Sequence, residues 1–328
     1  MNLKTEVIHQ EIKSKPLSKL RVERYQKEYK SLWDQFIDNS KNGIFLFNRD
    51  YMEYHSDRFE DFSLMFFKGN KLIAVMPANI DGDTVISHEG LTFGGIISNK
   101  KMKTVKMLEI FDILKKFLKD NGIKKLIYKT IPHIYHTNPA EEDLYALFRN
   151  NAKLIRRDIS STMPKNERLN LESSKKKSCI MCNEKGLEVK RDYDFKSFIE
   201  LKEKDLMKKY GVTPVHTSKE IKLLADRFPE NIKLFTVREN GEILAGGIIY
   251  ESKNVAHGQY LASSDRGKEL HVADFLINFF INDYYKDKCF DQGISTENNG
   301  YFLNKGLINF KENFGSRAIV YDFYEMKI

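Results

Sequence analysis

Histidines and carboxylates near the ends of predicted strands are the residues of this sequence best suited to proton transfer. His257 lies on a predicted strand, and Glu297 directly follows the next one. Asp322 and Tyr324 alternate along the last predicted strand, so their side chains share one face. Such groups can accept or donate a proton near neutral pH, and we predict that these four are catalytic. The alternative is that all four have structural roles. His257 would be a half-buried residue of a strand, Glu297 would belong to a helix cap, and Asp322 and Tyr324 would pair with residues of a neighbouring strand.

The segment between the His257 strand and the following predicted helix has the composition of an anion site. Backbone N–H groups at the start of a helix attract phosphate, and two cationic side chains flank Gly267. The residues predicted to bind a phosphate-bearing cosubstrate are Ser263, Ser264, Arg266, Gly267 and Lys268.

Other residues are candidates for contact with a second substrate. In the first half, a His-Glu pair lies where His257 lies in the second half, and an aromatic-rich region contains an arginine suited to phosphate. The predicted substrate contacts are His88, Glu89, His216, Lys311, Arg49 and Tyr51. For the aromatic region, a hydrophobic core with a charged edge is the alternative.

The three cysteines do not indicate a disulfide framework or a metal centre. Cys179 and Cys182 form a CxxC pair, but no second pair completes a zinc site, so packing on a helix is the simpler interpretation. His133 and His136 lie three residues apart without a carboxylate partner. We therefore predict no metal.

Hydrophobic periodicity and turn residues predict the same order of elements twice along the chain. Each half reads as hairpin, strand, helix, strand, helix, strand, with an offset of roughly 170 residues that indicates an internal duplication. We predict a first domain at 1–163, a basic helical connector at 164–186 and a second domain at 187–328. The second domain carries the predicted site, which faces the groove between the halves.

Composition places the chain among globular proteins. Of its 328 residues, 41% are hydrophobic and 12% aromatic, which excludes a disordered chain. No apolar run approaches the roughly 20 residues of a membrane span, and the polar first 15 residues lack a signal-peptide core. We therefore expect a soluble, cytoplasmic protein. The net charge of +8 fits either a solvated lysine-rich surface or a phosphate-bearing partner.

Three motifs carry a resemblance to a known family. The basic segment that leads into Lys185–Val189 (KGLEV), the terminal element Phe310–Gly315 (FKENFG) and the strand and loop Gln259–Ser264 (QYLASS) resemble the FemAB-type, or BioF2-like, double-GNAT acyltransferases. The resemblance extends from Phe62 onward. It implies an α/β (α+β) protein of tandem GNAT-like domains, each a mixed sheet flanked by helices.

The same resemblance implies an activity. GNAT-type members move an acyl group from acyl-CoA to an amine, and members of this branch in bacterial surface-glycan pathways, such as O-antigen and lipopolysaccharide biosynthesis, suggest the amine of a nucleotide-linked amino sugar. Acyl-CoA is then the cosubstrate, and no residue pattern indicates an oligomeric state. Two departures are visible: the loop at Gly267 has a single glycine, and Phe310 occupies the place where many GNAT enzymes have a proton-donating tyrosine.

Two alternatives stay open from the sequence. The first is a Fem-like transferase that takes an aminoacyl group from tRNA to a cell-wall precursor, although the coiled-coil arm usual in Fem proteins is missing from the heptad pattern. The second is a non-catalytic double-GNAT binding module, for which the two departures would be signs of lost catalysis.

Overall fold

The computed structural model describes residues 19–328, and the expectation about the polar N-terminus lies outside these residues. The first half, together with the connector, contains nine strands and five α-helices. The strands are β1 (Leu20–Arg24), β2 (Glu60–Asp61), β3 (Leu64–Lys68), β4 (Lys71–Met76), β5 (Asn79–Asp81), β6 (Thr84–Ile86), β7 (Ile97–Ser98), β8 (Lys125–Lys129) and β9 (Lys153–Met163). The helices are α1 (Lys30–Asn39), α2 (Arg49–Met52), α3 (Thr104–Asp120), α4 (Glu142–Arg149) and, in the connector, α5 (Ser173–Glu184).

The second half continues with eight strands and five helices. The strands are β10 (Val189–Asp192), β11 (Ile232–Glu239), β12 (Glu242–Glu251), β13 (Val255–Ser263), β14 (Cys289–Ile294), β15 (Thr296–Glu297), β16 (Phe302–Leu303) and β17 (Arg317–Lys327). The helices are α6 (Phe195–Tyr210), α7 (Ser218–Arg227), α8 (Asp265–Glu269), α9 (Val272–Asn278) and α10 (Lys305–Glu312). None of the helices within 19–328 is both long and apolar enough to cross a bilayer.

One mixed sheet of eleven strands runs through both halves. Its order is β10-β11-β12-β13-β14-β9-β17-β8-β6-β5-β2, and a separate four-stranded sheet has the order β1-β3-β4-β7. The prediction of mixed sheets flanked by helices is confirmed.

The two halves exchange their last strands. Strand β9 closes the first half in sequence but pairs with β14 and β17 of the second half. Strand β17 closes the second half but pairs antiparallel with β8 of the first. The predicted boundaries thus divide the chain in sequence, whereas the sheet is continuous across them.

Amphipathic helices form the predicted stripes against this sheet. Helix α3 buries Phe111, Leu114 and Leu118 in the core of the first half, as its 3.6-residue periodicity predicts, whereas Val105 of the same predicted stripe is 70% exposed in its first turn. In the connector, Cys179 and Cys182 of α5 are buried, and their thiols lie near carbonyl oxygens of Asp274 and Leu270. The two thiols therefore pack between helices.

The helix predicted over Glu269–Tyr285 is interrupted. His271 has a left-handed φ of 51°, which separates α8 from α9, and residues Phe279–Tyr284 continue as a π-helix. The helix predicted over Tyr301–Asn313 is shorter, because its first residues form the small hairpin β15–β16. Both differences lie next to the site.

Strands β13 and β14 pair in parallel over three residues only and then part. The pairs are Val255–Cys289, Ala256–Phe290 and His257–Asp291. A bulge in the register between β12 and β13, at Ile248/Ile249, accompanies the divergence. The gap in the sheet begins directly after His257 and Asp291.

Candidate active site

Two cavities open on the gap between β13 and β14. Cavity A, of about 800 Å³, lies between the parted strands and helices α6, α9 and α10. Its walls include Leu261, Leu276 and Phe310, with Lys202 and Lys311 among its polar groups. This size is within the range of pockets that take small-molecule ligands.

Cavity B, of about 640 Å³, lies between the two halves. The first half contributes Glu89, Leu91 and Lys129, and the second contributes His257 and Tyr321. The two cavities share four lining residues, namely Gly258, Gln259, Gln292 and Ile294. Both cavities therefore border the gap.

A histidine–aspartate pair lies where the cavities meet. His257 is on β13 and Asp291 on β14, directly opposite each other in the parallel pairing. His257 Nδ1 lies 2.8 Å from Asp291 Oδ2, and the Asp291 carboxylate is fully buried. It also accepts hydrogen bonds from the hydroxyls of Ser160 and Tyr321, both at 2.5 Å.

These contacts determine the tautomer of His257. Burial alone would raise the pKa of Asp291, but His257 and the two hydroxyl donors lower it below its ordinary range, so the carboxylate stays ionised. An ionised carboxylate only accepts, so Nδ1 carries the proton. Neutral His257 therefore presents the lone pair of Nε2, for which residues 19–328 provide no hydrogen-bond donor. Such an imidazole can act as a general base toward cavity B.

Lys311 approaches the same gap from cavity A. Its ammonium donates to the carbonyl oxygens of Gly293 (2.7 Å) and Ile294 (2.8 Å), which leaves one N–H of the three. Burial lowers the pKa of Lys311 to about 8, against a smaller opposing effect of Asp291. A cation with this pKa can donate a proton near neutral pH.

Gln292 lies between the two cavities with an unpaired acceptor. Its Nε2 donates to Ser316 Oγ at 2.7 Å and to the carbonyl oxygen of Lys311 at 3.3 Å. Because a carbonyl oxygen can only accept a hydrogen bond, the side-chain nitrogen of Gln292 must be the atom that faces it. The buried Oε1 has no hydrogen-bond partner within 19–328. A substrate amine at the gap could supply the missing donor.

Lys129 shapes the wall of cavity B. Its buried ammonium donates to the carbonyl oxygens of His88 (3.0 Å), Glu89 (3.3 Å) and Leu91. Burial lowers the pKa of Lys129 to about 7. The lysine therefore holds the loop that carries Glu89 to the cavity. Within 19–328, no group of three or more His, Cys, Asp or Glu side chains could hold a metal ion.

Comparisons with known proteins define the fold. No protein-family model and no curated protein matches the chain. Among solved structures, FemX matches with a TM-score of 0.66 at 12% identity, over 94% of this chain and 97% of FemX. The chain has the fold of FemX.

Two further structures match over most of the chain. L-PGS from Bacillus licheniformis has a TM-score of 0.56 at 11% identity, over 93% of this chain and 92% of its own. The C-terminal domain of a putative lysylphosphatidylglycerol synthetase from Agrobacterium fabrum has a TM-score of 0.53 at 12% identity. The match covers 77% of this chain and 80% of the other. The fold that the motifs implied is thus confirmed.

The FemAB-like fold brings six of the residues proposed from sequence to the two cavities. Glu297, Ser263, Lys268 and Lys311 line cavity A, and His257 and Glu89 line cavity B. Glu297 is exposed at the mouth of cavity A rather than at the gap.

The predicted anion loop is only partly at the cavity. Ser264 and Gly267 line neither cavity, and Ser264 Oγ accepts the hydrogen bond of the Gly267 N–H. Arg266 lies against Glu269 (3.2 Å) and Glu239 (3.7 Å), outside both cavities. Lys268 lies 2.9 Å from Asp205. Much of the cationic charge proposed for a pyrophosphate is therefore already paired with carboxylates.

Two of the predicted substrate histidines lie in the interior instead. His88 is buried, stacks on His55 at 5.2 Å and lines neither cavity. His216 is buried and hydrogen-bonds the hydroxyl of Tyr260 at 2.7 Å through Nδ1. Aromatic neighbours cover both rings: His55 and Phe59 pack on His88, and Tyr54 and Tyr260 pack on His216.

The aromatic region of the first half is a core with a charged edge. Arg49 is buried over the ring of Tyr25 and pairs with Asp61 at 3.0 Å and Glu53 at 3.1 Å. Tyr51 is buried, with its hydroxyl 3.4 Å from that of Tyr250. Neither lines cavity A or B, because their polar atoms are already satisfied inside the protein.

Asp322 and Tyr324 share one face of β17, as predicted, but it is not the face of the site. Asp322 accepts two hydrogen bonds from Arg157, at 2.6 and 2.8 Å, and Tyr324 packs against the core of the first half. The neighbouring residues Tyr321 and Phe323 line cavity B. Alternation along the strand therefore turns Asp322 and Tyr324 away from the substrate.

Three residues at the gap are absent from the sequence prediction: Asp291, Gln292 and Lys129. One available signal is the pair Asp291-Gln292 directly after Phe290 in an otherwise apolar predicted strand. A charge at the centre of such a strand requires buried partners, which is a reason to consider function. For Lys129, the strand position alone gives no such signal.

Proposed function

We propose that this protein is an N-acyltransferase that moves an acyl group from a thioester in cavity A to an amine in cavity B. The observation that carries the proposal is the meeting of the two cavities at one gap, with His257–Asp291 on one side and Lys311 on the other. A transfer reaction needs two binding sites that share a reacting point. The donor we propose is acyl-CoA.

The residues have complementary roles in this reaction. The amine, held by Gln292 Oε1, attacks the thioester carbonyl and loses a proton to His257 Nε2 as the C–N bond forms. The C–S bond then breaks, and the leaving thiolate takes a proton from the Lys311 ammonium. A pKa of about 8 for Lys311 is close to that of an ordinary thiol, roughly 8.5, so this proton transfer is nearly balanced. Lys311 thereby replaces the tyrosine that many GNAT enzymes have where this chain has Phe310.

The acceptor we propose is the amine of a nucleotide-linked amino sugar. Beside His257, cavity B has Arg156 packed over the Phe323 ring at 4.6 Å and Glu89 on the loop held by Lys129. The Glu89 carboxylate can accept a hydrogen bond from the neutral acceptor amine. The Nε of Arg156 donates to Asp158 at 2.7 Å, and its two terminal nitrogens can contact a phosphate.

The second candidate function is aminoacyl transfer from tRNA, as in the Fem-like alternative. The FemX match over nearly the whole of both chains favours it. The same gap would then hold an ester carbonyl in place of a thioester. The third possibility, a binding module without catalysis, is disfavoured by an oriented histidine and an available ammonium at one gap.

The first experiment measures thiol release from acetyl-CoA with a panel of amino-sugar nucleotides, and deacylation of charged tRNA in parallel. We expect acceptor-dependent thiol release from the wild-type protein. For Lys311→Met we expect at least a tenfold loss of kcat/KM, about 1.4 kcal/mol. The matched control is Lys305→Met, an exposed lysine of the same helix that lines neither cavity. Wild-type rates in Lys311→Met would contradict the proposed role, and deacylation of tRNA without thiol release would establish the second candidate.

A further inference from the structure

A short hairpin stands at the mouth of cavity A. In its two strands, β15 and β16, Glu297 lies directly opposite Phe302, so both side chains project from one face of the ribbon. Glu297 lines cavity A, and the ring of Phe302 is 51% exposed beside it. Phe302 does not itself line cavity A, but its half-exposed ring lies on the same face of the hairpin as the Glu297 carboxylate, at the cavity's edge.

The turn of this hairpin is held in one conformation. Asn298, Asn299 and Gly300 have positive φ values of 49°, 54° and 90°. A Cβ at Gly300 would lie 2.1 Å from the carbonyl oxygen of Arg157, so only glycine allows the turn to pack on β9. This anchoring fixes the backbone of the hairpin that carries Glu297 and Phe302.

Glu297 offers a hydrogen-bond acceptor at the edge of that ring. Asn304 Nδ2 donates to Glu297 Oε1 at 3.2 Å and orients the carboxylate. The other oxygen, Oε2, accepts no hydrogen bond from residues 19–328. A carboxylate beside an aromatic platform matches a nucleobase that carries an exocyclic amino group, because the base stacks while its N–H donates.

We propose that Phe302 and Glu297 form the binding site for the adenine of the acyl donor. The inference rests on the proposed function, which places the donor in cavity A. Acyl-CoA and aminoacyl-tRNA both contain an adenine nucleotide, so the base and its exocyclic amino group are the same in either donor. The spacer between adenine and the reacting carbonyl differs: a pantetheine arm and a diphosphate in acyl-CoA, a single ribose in aminoacyl-tRNA. The proposal gives Glu297 a role in recognition instead of the catalytic role predicted from sequence.

The first test separates recognition from chemistry with two donors. For Phe302→Leu we expect KM for acetyl-CoA to rise about 5- to 150-fold, the usual worth of one stacked base, with kcat unchanged. KM for S-acetyl-4′-phosphopantetheine, which lacks adenine, should not move, and Phe302→Trp should restore the acetyl-CoA value. The matched control is Phe148→Leu, a ring 74% exposed on α4, away from both cavities.

The second test exchanges donor and acceptor at the base edge. In wild type, an acetyl-CoA analogue with hypoxanthine in place of adenine should bind less tightly, because its 6-oxo group cannot donate to Glu297. In Glu297→Gln, the amide N–H can donate to that 6-oxo group, so the preference between the two bases should shrink or reverse. A general base at this position would instead lower kcat for both donors in Glu297→Gln.

Direct titration calorimetry with CoA, and with a tRNA acceptor-stem duplex with or without its terminal adenosine, identifies the source of the adenine. Dependence of either affinity on Phe302 supports the site, and the ligand affected identifies the donor. If CoA binds through Phe302 but no acyl group is transferred, the proposed reaction fails and the adenine site stands. Two results would overturn the inference. One is that Phe302→Leu raises KM equally for acetyl-CoA and for the pantetheine thioester. The other is that it changes the affinity for neither CoA nor the duplex.

Discussion

At the scale of single residues, Asp291 organises the candidate site. Its buried carboxylate orients His257, and the hydroxyls of Ser160 and Tyr321 keep it ionised. The hydroxyl of Tyr135 is a further neighbour, at 3.3 Å. These partners come from β9, β13, β17 and the loop after β8, so strand exchange between the halves is what assembles the cluster.

The variant Asp291→Asn tests the tautomer of His257. The amide N–H of the introduced side chain would donate to Nδ1, which moves the imidazole proton to Nε2 and removes the base. We expect kcat/KM to fall by about 10²- to 10⁴-fold, while CoA affinity measured by calorimetry stays unchanged. Asp322→Asn is the matched control, because this carboxylate is also buried but lies outside both cavities. Comparable losses in the two variants would contradict the assignment.

At the scale of elements, the short helix α8 packs so closely on β12 that it requires a glycine. A Cβ at Gly267 would lie 1.9 Å from the carbonyl oxygen of Leu244. This close packing is by itself a sufficient reason for a glycine at position 267, which the sequence also predicts to bind a phosphate-bearing cosubstrate.

We predict opposite stability effects for two glycine-to-alanine variants. Gly267→Ala should lower the free energy of unfolding by about 1–3 kcal/mol, because the backbone of β12 must move. Gly306→Ala, on α10, should raise it by roughly 0.5–1 kcal/mol, since an added Cβ would be 3.7 Å from its nearest neighbour, Asn304 Oδ1. Urea unfolding of both variants measures the difference. If both variants changed the free energy of unfolding equally, the close contact between α8 and β12 would have to relax without an energetic cost.

At the scale of the whole molecule, histidines buried between the halves couple stability to pH. Burial lowers the pKa of His88 to about 3, with smaller contributions from His55 and Lys129. Burial also lowers the pKa of His216 to about 4 and lowers that of His55. Just below pH 6.5, these histidines therefore stay neutral in the folded protein, whereas the same histidines take up protons in the unfolded chain.

The sign of the pH dependence follows from these shifts. The folded-state pKa values lie below the unfolded value of about 6.5, so the stabilisation is complete above that pH and is lost as pH falls from 6.5 toward 3–4. We expect the urea midpoint to fall between pH 7 and pH 5. His88→Asn should flatten this slope, and asparagine tolerates the left-handed φ of 59° at this position. An unchanged slope in the variant would show that His88 does not carry the effect.

The sequence by itself determined the elements and the fold class. Period-3.6 stripes and glycine- or asparagine-containing turns predict α1, α3 and the longer strands, such as β4, β8 and β11–β14, to within a few residues, because these signals are local. The short strands β1, β2 and β5 are not predicted. Residue type and motif also mark His257 and Lys311 as candidates for chemistry. A local pattern cannot predict the break at His271, where tertiary packing overrides helix propensity.

Only the tertiary structure decided which polar residues form the site. Strand exchange places Ser160 and Tyr321 on Asp291, and the parting of β13 from β14 opens the gap beside them. The same packing encloses His88, His216, Arg49 and Tyr51, whose residue types are equally reactive in sequence. The physical reason is that a side chain's chemistry depends on its partners and its exposure to water, and contacts between distant segments of the chain determine both.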